Sequence, residues 1–191
     1  PGISSAASDV YKRQGPFRFD ASISHSTGPS ALLIARNLTL EAAPGTLAVL
    51  DAGASADARR RVLTVDQGAM VELRGIILTG GFSTAWGGGA RVEGSSGLRL
   101  VNSTVRGCVV MRDLTAAGGG GVFVNAQGRL ELIESTIEGN TAVSASGQAQ
   151  GGGLNAGPGS VVDMVGSAIE GNTARSDGSG AAVGGGVFTF G

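Results

Sequence analysis

Charged side chains recur in this sequence at spacings that would stack them in a folded repeat. One set comprises Glu72, Arg99, Glu131 and Asp163, and a second comprises Arg106, Glu138 and Glu170. Stacked carboxylates about 5 Å apart match the separation found in retaining glycosidases, and they are also Ca²⁺ ligands. Arginine stands within each set, so a solvated outer face explains the pattern without chemistry. We expect no catalytic, metal-binding or cofactor-binding residue among them.

Two other polar residues could be reactive groups. His25 is the only histidine and lies in a serine-rich segment, but neither an acidic partner nor a nucleophile-elbow motif accompanies it. Cys108 is the only cysteine, which excludes an internal disulfide and a multi-cysteine metal site. A buried filler role is therefore expected for Cys108, and a loop position for His25.

Two further columns have members at equivalent positions of successive repeats. Asn140 and Asn172 occupy the same turn position, which Cys108 shares one repeat earlier. Side-chain amides in such a column are expected to form a structural ladder between successive coils. Phe123 and Phe188 fall in another column, with Asn155 between them, and predict either a small surface contact for a sugar or partner, or packing under a loop.

The repeat that generates these columns is marked by triple glycines. The triplets begin at Gly87, Gly119, Gly151 and Gly184, so their spacing is nearly constant. The corner glycines are Gly87, Gly88, Gly89, Gly119, Gly120, Gly121, Gly151, Gly152, Gly153, Gly184, Gly185 and Gly186. They predict a corner that requires positive φ or close backbone approach.

Short apolar–polar alternations lie between the glycine corners, as in Leu130-Glu131-Leu132. One coil cannot bury its own apolar face, whereas stacked coils bury it and pair their backbones at a spacing of about 4.8 Å. The sequence predicts an all-β, right-handed parallel β-helix (a β-solenoid) of about five coils and a partial sixth. Three short strands per coil are expected, with the variable residues 143–150 and 175–183 looping out. The predicted inward columns are Leu98, Leu130 and Val162, then Leu100, Leu132 and Met164, then Val105, Ile137 and Ile169.

Composition limits the partners. The chain of 191 residues has 35 glycines, 4% aromatic residues, 15% charged residues and a net charge of −1. Without a clustered basic face, nucleic acid is not an expected partner. No apolar run approaches the roughly 20 residues of a membrane-spanning helix.

The glycine corners followed by I-E-G-N-T-A resemble the repeats of chlamydia-type polymorphic outer membrane proteins. They are also similar to right-handed β-helix repeat proteins of the pectin-lyase-like superfamily. The resemblance covers about residues 71–191, and residues from Ile34 more loosely. Ile137 and Ile169 depart from the phenylalanine of that signature, and Cys108 departs from its asparagine. The resemblance implies an extracellular or cell-surface location and surface adhesion.

Ser4 to Gln14 resembles the in-frame translation of a transposon-based sequencing adapter. Residues 1–14 are therefore interpreted as a non-native, disordered segment, and residues 15–191 as a β-helix fragment truncated at both ends. The predicted function is a non-catalytic surface or extracellular module that is structural, adhesive or glycan-contacting. A polysaccharide or a cell-surface protein is the expected partner, and open coil ends favour self-association. The alternative is a fragment of a polysaccharide lyase or glycoside hydrolase whose catalytic residues lie outside this chain.

Overall fold

Stacked turns of short parallel strands form the whole fold. The computed structural model describes residues 17–19 and 22–190, and this part of the chain is an all-β solenoid of about five turns without a helix. Every pairing between named strands is parallel, and the only two antiparallel bridges among these residues are isolated. The predicted parallel β-solenoid is thereby confirmed. The adapter-like segment 1–14 lies outside the described residues.

Five sheets run along the solenoid, and each receives at most one strand from a turn. Sheet A contains β1 (Phe17–Arg18), β4 (Ala48–Asp51), β7 (Ile76–Thr79), β11 (Thr104–Arg106), β16 (Thr136–Glu138) and β21 (Ala168–Glu170). Sheet B contains β2 (Ser30–Ile34), β5 (Arg61–Val65), β9 (Ala90–Val92), β14 (Val122–Val124), β19 (Leu154–Ala156) and β24 (Val187–Thr189). Sheet C contains β3 (Leu38–Glu41), β6 (Met70–Arg74), β10 (Gly97–Val101), β15 (Arg129–Ile133) and β20 (Val161–Val165). Sheet D contains β8 (Phe82–Ser83), β12 (Val109–Arg112), β17 (Thr141–Ser144) and β22 (Thr173–Ser176). Sheet E contains β13 (Ala117–Gly118), β18 (Ala149–Gln150) and β23 (Ala182–Val183).

The later turns carry more strands than the three expected from sequence. The turn that begins at β14 has five, because residues 141–144 and 149–150 pair with the next turn instead of looping out. Backbone pairing explains the difference: each N–H and C=O that stacks on an equivalent group finds a partner whether or not its side chain is apolar.

The core is a column of aliphatic side chains in the register predicted from the repeat. Leu98 pairs with Leu130, which pairs with Val162, and Leu100, Leu132 and Met164 align in the same way. Met164 keeps this register but is 43% exposed, so the buried part of its column ends at Leu132. Leu100, Leu130 and Leu132 are completely buried. Full burial of such a side chain stabilises the fold by about 1.5–3 kcal/mol, so the repeated columns supply the main driving force for stacking.

The glycine corner permits the turns to approach closely. The first glycine of each triplet has positive φ, as at Gly119 (+63°) and Gly151 (+57°). In the first three triplets the third glycine has no room for a side chain: a Cβ on Gly121 would lie 2.7 Å from the carbonyl oxygen of Gly153. Both physical reasons for glycine therefore act at this corner, one at each end of the triplet.

Candidate functional site

The outer face of sheet C is a ladder of ion-paired side chains. Its outward column, called the sheet C face here, consists of Thr39, Glu72, Arg99, Glu131 and Asp163, which are neighbours in register. The Arg99 guanidinium lies 3.1 Å from the Glu72 carboxylate on one side and 3.3 Å from the Glu131 carboxylate on the other. The side chains in these two ion pairs keep 18–41% of their surface exposed. The arginine separates Glu72 from Glu131. Glu131 and Asp163 are direct neighbours in register, and Asp163 is paired with Arg129.

A groove of about 370 Å³ lies along this face. It combines exposed apolar groups, Met70 and Leu38, with planar polar groups that donate and accept hydrogen bonds. The groove is lined by Asn37, Leu38, Thr39, Met70, Val71, Glu72, Leu98, Arg99, Arg129 and Glu131. Gly97 leaves room for the Met70 thioether, since a Cβ on Gly97 would collide with that side chain at 2.5–2.6 Å. This combination suits a ligand with hydroxyl groups and a C–H surface.

The second charged set predicted from the sequence lies on a different sheet. Arg106, Glu138 and Glu170 are in register on sheet A, and they border a more open groove with Gly107, Gly139 and Gly171. None of the ion pairs among residues 17–19 and 22–190 includes these three side chains. The described residues contain no group of three or more His, Cys, Asp or Glu side chains that could hold a metal ion.

The outer face of sheet B is buried instead of exposed. Its outward column includes Arg91, Phe123 and Asn155, which are in register and retain 8%, 7% and 0% exposure. Trp86 covers this column, with its ring centroid 5.2 Å from that of Phe123. The structure thus places Phe123 beneath a loop instead of on the surface.

Phe188, the other phenylalanine of that column, is half-buried and packs edge-on against Phe190, with ring centroids 5.0 Å apart. Asn155 lies between the two phenylalanines in register. Its amide nitrogen donates to the Gln150 side chain at 3.4 Å, whereas its buried Oδ1 has no hydrogen-bond partner within the described part of the chain.

Arg91 and Glu93 are charged residues buried between sheet B and the loop that contains Trp86, a region called the covered layer here. The two side chains form an ion pair, and Glu93 also accepts a hydrogen bond of 2.8 Å from the Asn125 amide. Burial alone would raise the pKa of Glu93, but the hydrogen bond and charge of Arg91 outweigh it and hold that pKa below its ordinary value. Arg91 also stacks over the Phe123 ring at 4.8 Å. The pair is therefore a built part of the layer, not a mobile surface contact.

Arg61 is a deeply buried cation with no exposed surface. Its guanidinium donates to the backbone carbonyl oxygens of Thr27, Gly28, Trp86 and Gly87, and to three hydroxyl groups, and no carboxylate among the described residues accepts from it. Burial lowers the pKa of Arg61 to about 10. One side chain thereby fastens the segments 27–30 and 83–87 to sheet B. The sequence does not mark Arg61, because arginine does not recur at the equivalent position of the later repeats.

His25 acquires an acidic partner that the sequence did not reveal. Its Nε2 lies 2.9 Å from Oδ2 of Asp66, 41 residues away, and its Nδ1 lies 2.8 Å from Oγ1 of Thr27. Thr27 belongs to the same turn as His25 and Asp66 directly follows β5, so the contacts fasten this loop to the end of that strand. The described arrangement is an anchor for the loop.

Two side-chain ladders join the turns. Asn140 donates through Nδ2 to Oδ1 of Asn172 at 3.0 Å and accepts from the backbone N–H of Cys108 at 3.0 Å. A second ladder, which was not predicted, is formed by serines: the N–H of Ser103 donates to Oγ of Ser135, and the N–H of Ser135 donates to Oγ of Ser167. The equivalent positions of these serines in successive repeats were the signal that could have revealed them.

Cys108 stands at the end of the asparagine ladder and is completely buried. Burial raises the pKa of its thiol to about 12, so the nucleophilic thiolate is suppressed at neutral pH. The structure thus describes an inert thiol at this position.

Within residues 17–19 and 22–190, no helix is long and apolar enough to cross a membrane. Comparisons with protein-family models, curated proteins and solved structures found no match to this chain.

Proposed function

We propose that this chain is a non-catalytic surface or extracellular β-solenoid module that contacts a glycan through the sheet C face. The observation that carries the proposal is the groove on that face, in which ion-paired planar side chains flank exposed Met70 and Leu38. Hydroxyl groups of a sugar bind bidentate acceptors and donors such as Glu72 and Arg99, while its C–H surface packs on the thioether.

Regular stacking supports an adhesive role over catalysis. Each turn offers one further outward residue at a spacing of about 4.8 Å, so an extended ligand meets several weak contacts in series. Contacts of this kind add affinity by multivalency without any single strong site. The Arg99 guanidinium between Glu72 and Glu131 keeps both carboxylates paired, whereas an acid–base pair needs one carboxyl group to hold a proton.

The test is a glycan array probed with the full chain and with Arg99→Ala. Arg106→Ala is the matched control, because Arg106 is also exposed but lies outside the groove. We expect binding of a defined set of glycans that weakens at least tenfold in Arg99→Ala and is unchanged in Arg106→Ala.

A turnover assay on acidic polysaccharides separates this proposal from a lyase or hydrolase fragment. The binding module leaves chain length unchanged over hours. Shortening of the polysaccharide, or the absence of any glycan whose binding depends on Arg99, would contradict the proposal.

A further inference from the structure

Both arginines that line the groove on the sheet C face have a carboxylate beside them. Arg99 lies between Glu72 and Glu131, at 3.1 Å and 3.3 Å from their carboxylates. Arg129, the other arginine of the lining, forms an ion pair with Asp163. The lining itself contains two arginines and two glutamates, so its charges balance.

A carboxylate or sulfate group of a ligand would meet only paired cations in this lining. To reach Arg99 it must come close to both Glu72 and Glu131, and like charges at such distances repel. Glu72 stays ionised at neutral pH, since a hydrogen bond from Arg74 lowers its pKa. The ion-paired ladder therefore disfavours anionic sugars.

Uncharged hydroxyl groups can bind without breaking these ion pairs. A hydroxyl group both donates and accepts hydrogen bonds, so it can donate to Glu131 and accept from Arg99, whose side chains keep 31% and 41% of their surface exposed. Asn37 and Thr39 add exposed, uncharged polar groups to the lining. Met70 is also exposed and offers an apolar contact for C–H groups. The lining therefore matches a neutral sugar in both its polar and its apolar groups.

We propose that the groove on the sheet C face selects uncharged polysaccharides and discriminates against those that carry uronate or sulfate groups. This inference rests on the proposed glycan-binding function and specifies its ligand class. Repulsion contributes to such specificity as well as attraction, because Glu72 and Glu131 prevent Arg99 from acting as an anion site.

Matched pairs of polysaccharides test the proposal, because the two members of a pair differ mainly in charge. Suitable pairs are polygalacturonate, alginate and hyaluronan, each with its carboxyl-reduced form, and dextran sulfate with dextran. Isothermal titration calorimetry of the full chain measures the affinity for both members. In each pair that is bound, we expect the neutral member to bind at least tenfold more tightly than the acidic one.

Asp163→Asn provides a gain of function that a folding defect cannot imitate. It removes the partner of Arg129 and leaves an unpaired guanidinium in the groove, so binding of the acidic members should strengthen at least fivefold. Asp177→Asn is the matched control, because it frees Arg175 on sheet D and Asp177 is as exposed as Asp163. We expect no gain from this control. An equal gain in both variants, or no gain in Asp163→Asn, would overturn the proposal.

The calorimetric results distinguish this inference from the function on which it rests. Binding that depends on Arg99 but is equal for the two members, or tighter for the acidic one, would overturn the ligand class and leave glycan binding intact. The absence of Arg99-dependent binding on the array and in every pair would overturn the proposed function and the ligand class together.

Discussion

Sheets B and C are built from the same repeat, yet their outer faces have opposite environments. On sheet C the outward column remains in solvent, with the Arg99 side chain 41% exposed. On sheet B the outward residues Arg91, Phe123 and Asn155 are at most 8% exposed, because Trp86 and neighbouring loop segments lie on top of them. A side chain that points outward from a solenoid is therefore not always exposed to solvent, because a loop that packs on the sheet can bury it.

Substitution of Arg61 is expected to cause the largest loss of stability in the covered layer. Replacing it with methionine removes the donor for four carbonyl oxygens of two loops, one in a buried and three in part-buried hydrogen bonds. Each unsatisfied buried group costs about 1–3 kcal/mol, so we expect Arg61→Met to lower the free energy of unfolding by more than about 3 kcal/mol. Urea denaturation followed by circular dichroism measures this change.

The matched control on the open face is Arg99→Met. Exposed ion pairs contribute about 0–1 kcal/mol, and the denaturation midpoint should barely move. Equal midpoints for the Arg61 and Arg99 variants would show that the loops do not depend on Arg61.

Phe123 and Glu131 sharpen the comparison within a single turn. Both side chains point outward, but Phe123 packs against Trp86 and Arg91, whereas Glu131 meets only Arg99 among the ion-pair partners of the described residues. We expect Phe123→Ala to lower the free energy of unfolding by about 3 kcal/mol and Glu131→Ala by less than about 0.5 kcal/mol. Thermal unfolding of the two variants under the same conditions measures both losses of stability. Losses of similar size would contradict the burial of Phe123.

The repeat explains why the stacked columns could be predicted from the sequence, whereas the burial of sheet B by a loop could not. Its constant period places Leu98, Leu130 and Val162 in one column, since stacked backbones force equivalent residues into register. Trp86 is the only tryptophan of the chain and has no counterpart in the later repeats. Nothing in its spacing indicates that it packs on Phe123.

The same limit applies to polar contacts. His25 and Asp66 are 41 residues apart. Asp66 occupies the turn position that Glu93 and Asn125 hold in the next turns, but histidine does not recur in the sequence, so the pairing depends on the path of the loop in three dimensions. The asparagine column was predictable because Asn140 and Asn172 occupy equivalent turns. The sequence therefore predicts contacts between turns better than contacts between a turn and its covering loop.

Glu93 makes the covered layer sensitive to acid. Its pKa in the folded state is lowered by Arg91 from the ordinary value of 4.5, so its stabilising contribution is present at neutral pH and is lost as pH falls below that value and through the lowered one. We expect Glu93→Gln to lower stability by about 1–2 kcal/mol at neutral pH and to flatten the decline in stability at acidic pH. Urea midpoints measured from neutral pH into the acidic range provide the test.

Glu72→Gln is the comparison on the open face. The pKa of Glu72 is also lowered, chiefly by its hydrogen bond to Arg74, but solvent screens that pair. If Glu72→Gln reduced the decline in stability at acidic pH more than Glu93→Gln did, the exposed face of sheet C would be more sensitive to acid than the covered face of sheet B, which would contradict this prediction.

The salt dependence of stability is expected to show the smallest difference between the two faces. The Debye length shrinks to about 3 Å at 1 M salt, so the exposed ladder around Arg99 loses its attraction, whereas the buried pair of Arg91 and Glu93 is screened much less. We expect Arg99→Ala to lower stability by about 0.5 kcal/mol in dilute buffer and by nothing measurable in concentrated NaCl. Arg91→Ala should retain its effect in both, because its side chain is only 9% exposed and also packs on Phe123. If both effects disappeared together in salt, Arg91 would be as accessible to ions as Arg99, and the loop around Trp86 would not exclude solvent from sheet B.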